Sequence, residues 1–333
     1  MDAYIKDIAY YLPERIVTNA EIIKEFPELT DDKIVDKIGV RERHLAAPDE
    51  TSADMAVKAA ETLFSKGNVT KNDIDFVLLC TQTPDYLMPT SACLIQDRLG
   101  LSRNIGALDF NLGCSGYIYG LALAKGLLMS GTAKNVLLLT AETYNKHLHP
   151  KDKGNRTIFG DAASASAISL DGMARIGNFS LGTDGAGAEN LIMRTGGARH
   201  FSPTGKITYA ENGSPISEDH LYMNGSEIYL FTIENVPPLV KDILEKNKLT
   251  GEDIGMYIFH QANTYMLNYL RRKMKIPVEK FYINMSDTGN TVSSSLPIAI
   301  CKAFADGSIS KGMATLITGF GIGYSWGGTT LHF

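Results

Sequence analysis

The chain has 333 residues, 44% of them hydrophobic and 21% charged, the balance of a globular protein with a sizeable core. A net charge of −5 without any dense Lys/Arg run excludes a nucleic-acid footprint. The four cysteines (Cys80, Cys93, Cys114, Cys301) show no CxxC spacing, which argues against a Cys-rich metal site and for a reducing, cytoplasmic setting.

The N-terminal stretch Met1-Asp-Ala-Tyr-Ile-Lys-Asp7 carries charges where a signal peptide needs its apolar region. Residues 70–81 predict a turn and then a buried strand ending near Cys80. The segment Ala107-Leu-Asp-Phe-Asn-Leu-Gly-Cys-Ser-Gly116 runs from an apolar strand into a Gly-flanked cysteine, and an apolar helical pattern follows over 117–129. That order places Cys114 at a helix N-terminus, where unpaired N–H groups and the helix dipole favour the thiolate. A thiolate attacks carbonyl carbon, so Cys114 is a candidate acyl-accepting nucleophile. The alternative is a buried structural cysteine. The helix itself is interrupted by Lys125 and Gly126 and is too short to span a bilayer.

A strand over 135–141 comes next, and 182–213 is a Gly-rich excursion, read either as a cover for a substrate channel or as a tolerated surface insertion. Residues 223–246 predict a helix that Pro237 and Pro238 kink or end. Residues 250–261 then align without a gap on 70–81, setting His260 against Cys80, and Gly289-Asn290 falls in register with Gly113-Cys114. Each half thus reads strand, loop, helix, strand, the later strand lying at 135–141 or 312–318. The fold class is α/β, built from two similar halves, 1–175 and 176–333. In such a pair the strand ends bearing Cys114, His260 and Asn290 can converge on one site.

His260 closes an apolar strand pattern, a place open to a hydrogen-bonded core histidine as well as to a catalytic one. Asn290 before a helix is first of all an N-cap, and its amide is also a neutral donor for an oxyanion. The turn 318–328 reads as a tight hairpin in which Ile322, between Gly321 and Gly323, can present its backbone N–H to a site.

Taken in order, Leu12-Pro-Glu-Arg-Ile-Val-Thr18, Gly39-Val-Arg-Glu-Arg43, Gly113-Cys-Ser-Gly116, Phe159-Gly-Asp161, His260-Gln-Ala-Asn263, Gly289-Asn-Thr291 and Gly319-Phe-Gly321 resemble the β-ketoacyl-ACP synthase III family of the thiolase superfamily, across essentially the whole chain. The resemblance implies a layered αβαβα thiolase-like fold of two duplicated halves, a homodimer, and no bound cofactor or metal. It implies that Cys114 is the nucleophile, that His260 and Asn290 form the decarboxylation pair, and that the N–H groups of Cys114 and Ile322 form the oxyanion hole. The implied substrates are acyl-CoA or acyl-ACP and malonyl-ACP, with the acyl carrier protein as partner and 3-oxoacyl-ACP as product.

The implied substrate-binding positions are Lys33, Lys37, Met88, Lys153 and Asn263. Lysines stand where the family's housekeeping members present a tryptophan and arginines to CoA, and they lack the stacking face and the planar fork. Met88 stands where a phenylalanine commonly reaches across the dimer, and Ile322 where the family's turn has a small residue. These departures suggest a secondary-pathway paralogue. Two other activities are weighed against condensation. An acyltransferase passing the Cys114 acyl group to a hydroxyl or amine has no enolate to stabilise, so Asn290 speaks for condensation. A non-catalytic partner subunit should have lost the nucleophile, and Cys114, His260 and Asn290 are all intact.

Overall fold

Burial sorts the helices of this chain into two kinds in the computed structural model, which describes residues 2–210 and 213–333. The main strands are β1 (Tyr4–Tyr11), β2 (Phe76–Cys80), β3 (Gly106–Phe110), β4 (Asn135–Glu142), β5 (Ala162–Ser169), β6 (Ala174–Ile176), β7 (Met256–Phe259), β8 (Phe281–Tyr282), β9 (Ala314–Gly321) and β10 (Ser325–His332). The helices are α1 (Asn19–Glu25), α2 (Asp31–Ile38), α3 (Ser52–Ser65), α4 (Ser91–Arg98), α5 (Gly116–Met129), α6 (Lys153–Ile158), α7 (Gly225–Asn247), α8 (Thr264–Lys273) and α9 (Ser295–Ala305).

The strands form two blocks of equal plan. The first runs β3-β2-β4-β5-β1 and the second β8-β7-β9-β10-β6, and the two join edge to edge where β1 pairs with β6. In both, the three outermost strands are parallel and the two nearest the junction antiparallel. The chain is thus a duplicated α/β unit. Strand β6 straddles the expected division at 175/176 and pairs with β1 of the first block as well as with β10 of the second.

Helix α5 packs on β2, β4 and β5 of its own block and also on β9 and β10 of the other, while α9 packs on β7, β1 and β5. Both lie between the two blocks. Helices α3 and α4 cover the far side of the first block and α7, with α8 against it, that of the second. The layers therefore run αβαβα. A helix between two sheets must be apolar all round, and α5 is: Tyr117, Ile118, Leu121, Ala124 and Leu128 are buried. Its one charge, Lys125, spends its ammonium on the carbonyls of Ile176 and Gly177, each at 2.9 Å. An outer helix needs one apolar stripe only. In α3 that stripe is Ala53, Ala56, Ala60 and Leu63, and a Thr51/Asp54 capping box starts the helix.

Helix α7 departs from expectation. It passes unbroken from Gly225 to Asn247 with Pro237 and Pro238 inside. Pro237 deprives the Ile233 carbonyl of its helical donor, and Lys273 Nζ of α8 supplies one at 2.7 Å instead. Glu234, whose carbonyl Pro238 would have bonded, is solvent-exposed. The Gly-rich excursion at 182–213, of which residues 211 and 212 lie outside the described residues, contributes Leu191, Met193 and Thr195 to the lining of a cavity beside the ends of β2 and β4.

Candidate active site

Cys114 sits in the short turn between β3 and α5. The Gly113 carbonyl accepts from Gly116 N at 2.8 Å, and Ser115 is tied to β10 through its hydroxyl, 2.5 Å from that of Ser325. The thiol lies among Tyr144, Leu148, Phe159, Leu191, Leu221 and Val292, and the residue is 7% exposed. That environment reverses the expected ionisation. Burial first and the charge of Glu142 second push the Cys114 thiol up to about 12, against the opposite pull of its own backbone N–H. The resting sulfur is a thiol, because removing a thiolate from water costs more here than one helix start returns.

The end of β9 crosses this sulfur closely. A Cβ on Gly321 would lie 3.1 Å from Cys114 Sγ, and one on Gly319 would lie 2.7 Å from the Cys114 carbonyl. Only glycine permits that approach. Ile322 follows directly, its carbonyl accepting from Ser325 Oγ at 3.0 Å and its side chain leaning over Gly113.

His260 follows β7, and its backbone N–H donates to the Thr318 carbonyl at 2.7 Å, which fixes it beside β9. Its ring stands edge-on to Phe320, and Nδ1 lies 2.7 Å from the Ser295 hydroxyl. Burial lowers its pKa to about 3, so the imidazole is neutral. The ring proton follows the direction of that bond: a Ser295 hydroxyl that donates to Nδ1 leaves it on Nε2, and one that accepts leaves Nε2 free to accept from Asn290 Nδ2.

Asn290 joins the two halves. Its N–H donates to Ile158 O at 2.9 Å, and its carbonyl accepts from Gly160 N at 3.0 Å. Its Oδ1 accepts from Val292 N at 2.9 Å, which closes a local turn instead of the expected helix cap, since Ser294 is the residue that precedes α9, and this leaves Nδ2 3.4 Å from His260 Nε2. Val292 is held at φ +54, a conformation a β-branched residue adopts only under constraint. The Asn290 amide therefore both pins a strained turn and directs its N–H₂ toward the histidine.

A buried carboxyl that sequence reasoning passed over completes the arrangement. Glu142, at the end of β4, accepts from Gln82 N at 3.1 Å, Thr83 Oγ1 at 3.3 Å and Ser293 Oγ at 3.1 Å. Burial raises its pKa to about 8. The signal was one acid closing an otherwise apolar strand, Asn135-Val-Leu-Leu-Leu-Thr-Ala-Glu142. Ser295 was missed too, because it is one of three consecutive serines with nothing local to distinguish it.

The cavity has a volume of about 680 Å³ and is lined by Gln82, Asn111, Tyr144, Leu191, Leu221 and Ile322 among others. The remaining expected residues lie apart from it. Lys33 and Lys37 are on α2, which packs against α6, where Lys153 pairs with Glu28 at 3.0 Å. Asn263 caps α8 through Oδ1, accepting from Met266 N at 2.8 Å. Met88 is 82% exposed, although Tyr86 and Leu87 of the same loop line the cavity. Among the described residues no group of His, Cys, Asp and Glu is placed to hold a metal ion, and no helix is long and apolar enough to cross a membrane.

Residues 108–185 match the 3-oxoacyl-[acyl-carrier-protein] synthase III family, and 244–333 match the family's C-terminal region. A β-ketoacyl-[acyl-carrier-protein] synthase III of Clostridium perfringens is 36% identical over 318 residues, 95% of this chain and 95% of the relative. The chain belongs to the β-ketoacyl-ACP synthase III family. A relative of the same name from Caldanaerobacter subterraneus is 36% identical and covers 97% of this chain and 95% of itself. Among solved structures, a 3-oxoacyl-(acyl-carrier-protein) synthase III superposes with a TM-score of 0.98 at 48% identity over 100% of both chains. One from Burkholderia xenovorans LB400 gives 0.90 at 33% identity, covering 99% of this chain and 94% of its own.

Proposed function

We propose that Cys114, His260 and Asn290 perform the decarboxylating condensation of this family, joining a Cys114-bound acyl group to malonyl-ACP to give 3-oxoacyl-ACP. The observation that carries this is the pair of buried donors, His260 Nε2 and Asn290 Nδ2, 3.4 Å apart beside a neutral, Ser295-oriented imidazole. Two N–H groups so placed fit one oxygen between them. In the first half-reaction the Cys114 thiol exchanges with an acyl thioester, forming the Cys114 S–acyl bond and releasing the donor thiol. In the second, malonyl-ACP loses CO₂, and the electron pair of the broken C–C bond moves into an enolate whose oxygen takes both donors. The carbanion attacks the acyl carbon, the N–H groups of Cys114 and Ile322 receive the oxyanion, and the Cys114 sulfur leaves as a thiolate that takes a proton from solvent.

Lys33, Lys37 and Lys153 are assigned to the phosphates of the incoming donor, as charges without a stacking surface. A homodimer is supported by β3, which ends the sheet with its outer edge unpaired among the described residues and with Leu108 48% exposed. Met88, exposed on the neighbouring loop, would then reach the second copy's cavity.

Intact mass after incubation with acyl-CoA and acyl-ACP donors follows the first half-reaction, and labelled CO₂ release the second. Cys114→Ala should abolish the adduct while Cys80→Ala and Cys93→Ala keep it. Asn290→Ala should leave acylation nearly intact and reduce CO₂ release by a factor on the order of 10²–10³. Undiminished CO₂ release would reduce Asn290 to a turn cap.

A further inference from the structure

One wall of the cavity carries three polar side chains that bond to one another close to the Cys114 turn. Gln82 follows β2, and its Oε1 lies 2.6 Å from where a Cβ on Gly113 would stand, one residue from the nucleophile. The Tyr144 hydroxyl donates to that oxygen, and Gln82 Nε2 donates to Asn111 Oδ1 at 3.1 Å. All three side chains line the cavity, and Tyr144 lies in the same buried cluster as Cys114. The remaining lining is mixed, with Leu191, Ile192, Met193 and Leu221 beside Thr83, His147 and Thr195.

An amide oxygen takes two hydrogen bonds and an amide nitrogen gives two. Gln82 uses one of each on Asn111 and Tyr144, which leaves one acceptor and one donor valence on an amide whose oxygen stands over Gly113. A plain alkyl chain there would displace water from both and return nothing, and a buried polar group stripped of water costs more than the bond it replaces. An acyl group with a hydroxyl at that depth satisfies both.

We propose that the acyl group taken by Cys114 is a hydroxyacyl group, its hydroxyl within the first three carbons from the thioester, and that Gln82 is the residue that selects it. This rests on Cys114 being the acyl acceptor. The loading step is thioester exchange, in which the Cys114 S–acyl bond forms, the donor's S–acyl bond breaks, and the thiol proton leaves on the released donor thiol. The hydroxyl is unchanged throughout. Tyr144 acts as a positioning residue, holding the amide so that its free valences point at the chain.

Loading of Cys114 is compared by intact mass for butyryl, 2-hydroxybutyryl and both enantiomers of 3-hydroxybutyryl, each presented on CoA and on ACP. The expected result is that one hydroxyacyl donor loads roughly tenfold faster than butyryl. Gln82→Leu, similar in volume, should bring the two rates together by slowing the hydroxyacyl donor and speeding butyryl. Tyr144→Phe should narrow the difference while keeping the ring, and thermal melts of both variants confirm that they fold. Butyryl loading as fast as every hydroxyacyl donor, or a preference unchanged in Gln82→Leu, overturns the proposal while leaving the nucleophile assignment standing. An enzyme that no donor labels at Cys114 overturns the nucleophile assignment, and the selection with it.

Discussion

At His260 the two ring nitrogens have different tasks, and the division depends on a serine. A Ser295 hydroxyl that donates to Nδ1 would keep the proton on Nε2, 3.4 Å from Asn290 Nδ2, as the proposed reaction requires. Ser295→Ala removes that preference, and CO₂ release from malonyl-ACP should fall roughly tenfold, the worth of one buried hydrogen bond. Ser295→Thr, which keeps the hydroxyl, should recover most of the rate, whereas a merely packed serine would tolerate alanine better than threonine. Glu142 gives a second test through pH. Burial raises its folded pKa from 4.5 to about 8, so the folded chain holds that proton longer than the unfolded chain. Its contribution to stability is whole below the unfolded pKa and is lost as pH rises through the folded one. Melting temperatures at a series of pH values should therefore decline less between about pH 5 and pH 8 in Glu142→Gln than in the parent. Parallel curves would mean that the carboxyl ionises at the same pH in both states.

Among the helices, α5 was legible in the sequence as an apolar helical pattern over 117–129. The proposed site was legible in outline for a related reason: a Gly-flanked cysteine between strand and helix, and a histidine and an asparagine at the matching positions of the second half. What escaped was decided by partners distant in sequence. Helix α7 was expected to break at Pro237 because a local rule cannot see Lys273, 36 residues on, supplying the missing donor. The thiolate at Cys114 was expected from the helix start alone, whereas Glu142 and the surrounding apolar side chains set its state. The α7 account is testable by a double-mutant cycle. Lys273→Met should cost about 0.5–1 kcal/mol in the parent and almost nothing in Pro237→Ala, where a backbone N–H returns. Equal costs in both backgrounds would show that Lys273 acts elsewhere. Leu121→Ala, in α5 between the sheets, should cost about 2–5 kcal/mol, while Leu123→Ala on the same helix, 44% exposed, should stay within roughly 0.5 kcal/mol.

For the molecule as a whole, the β3 edge predicts association. Leu108→Lys places a charge on that edge strand, and sedimentation should then show a lighter species than the parent if β3 is where two copies meet. An unchanged sedimentation coefficient would move the interface elsewhere. The place of α5 between the blocks also governs how the chain is made. This helix starts two residues after Cys114, yet β9 and β10, which cover one of its faces, come far later in the chain. On the ribosome the first half must wait with an oily helix uncovered until nearly the final residue has emerged, a period in which aggregation competes with completion. Residues 1–175 expressed alone should consequently be insoluble or molten, and should gain near-UV ellipticity only when 176–333 is supplied. Duplication copied the unit without making either copy self-sufficient, so the intact chain should unfold in one cooperative step.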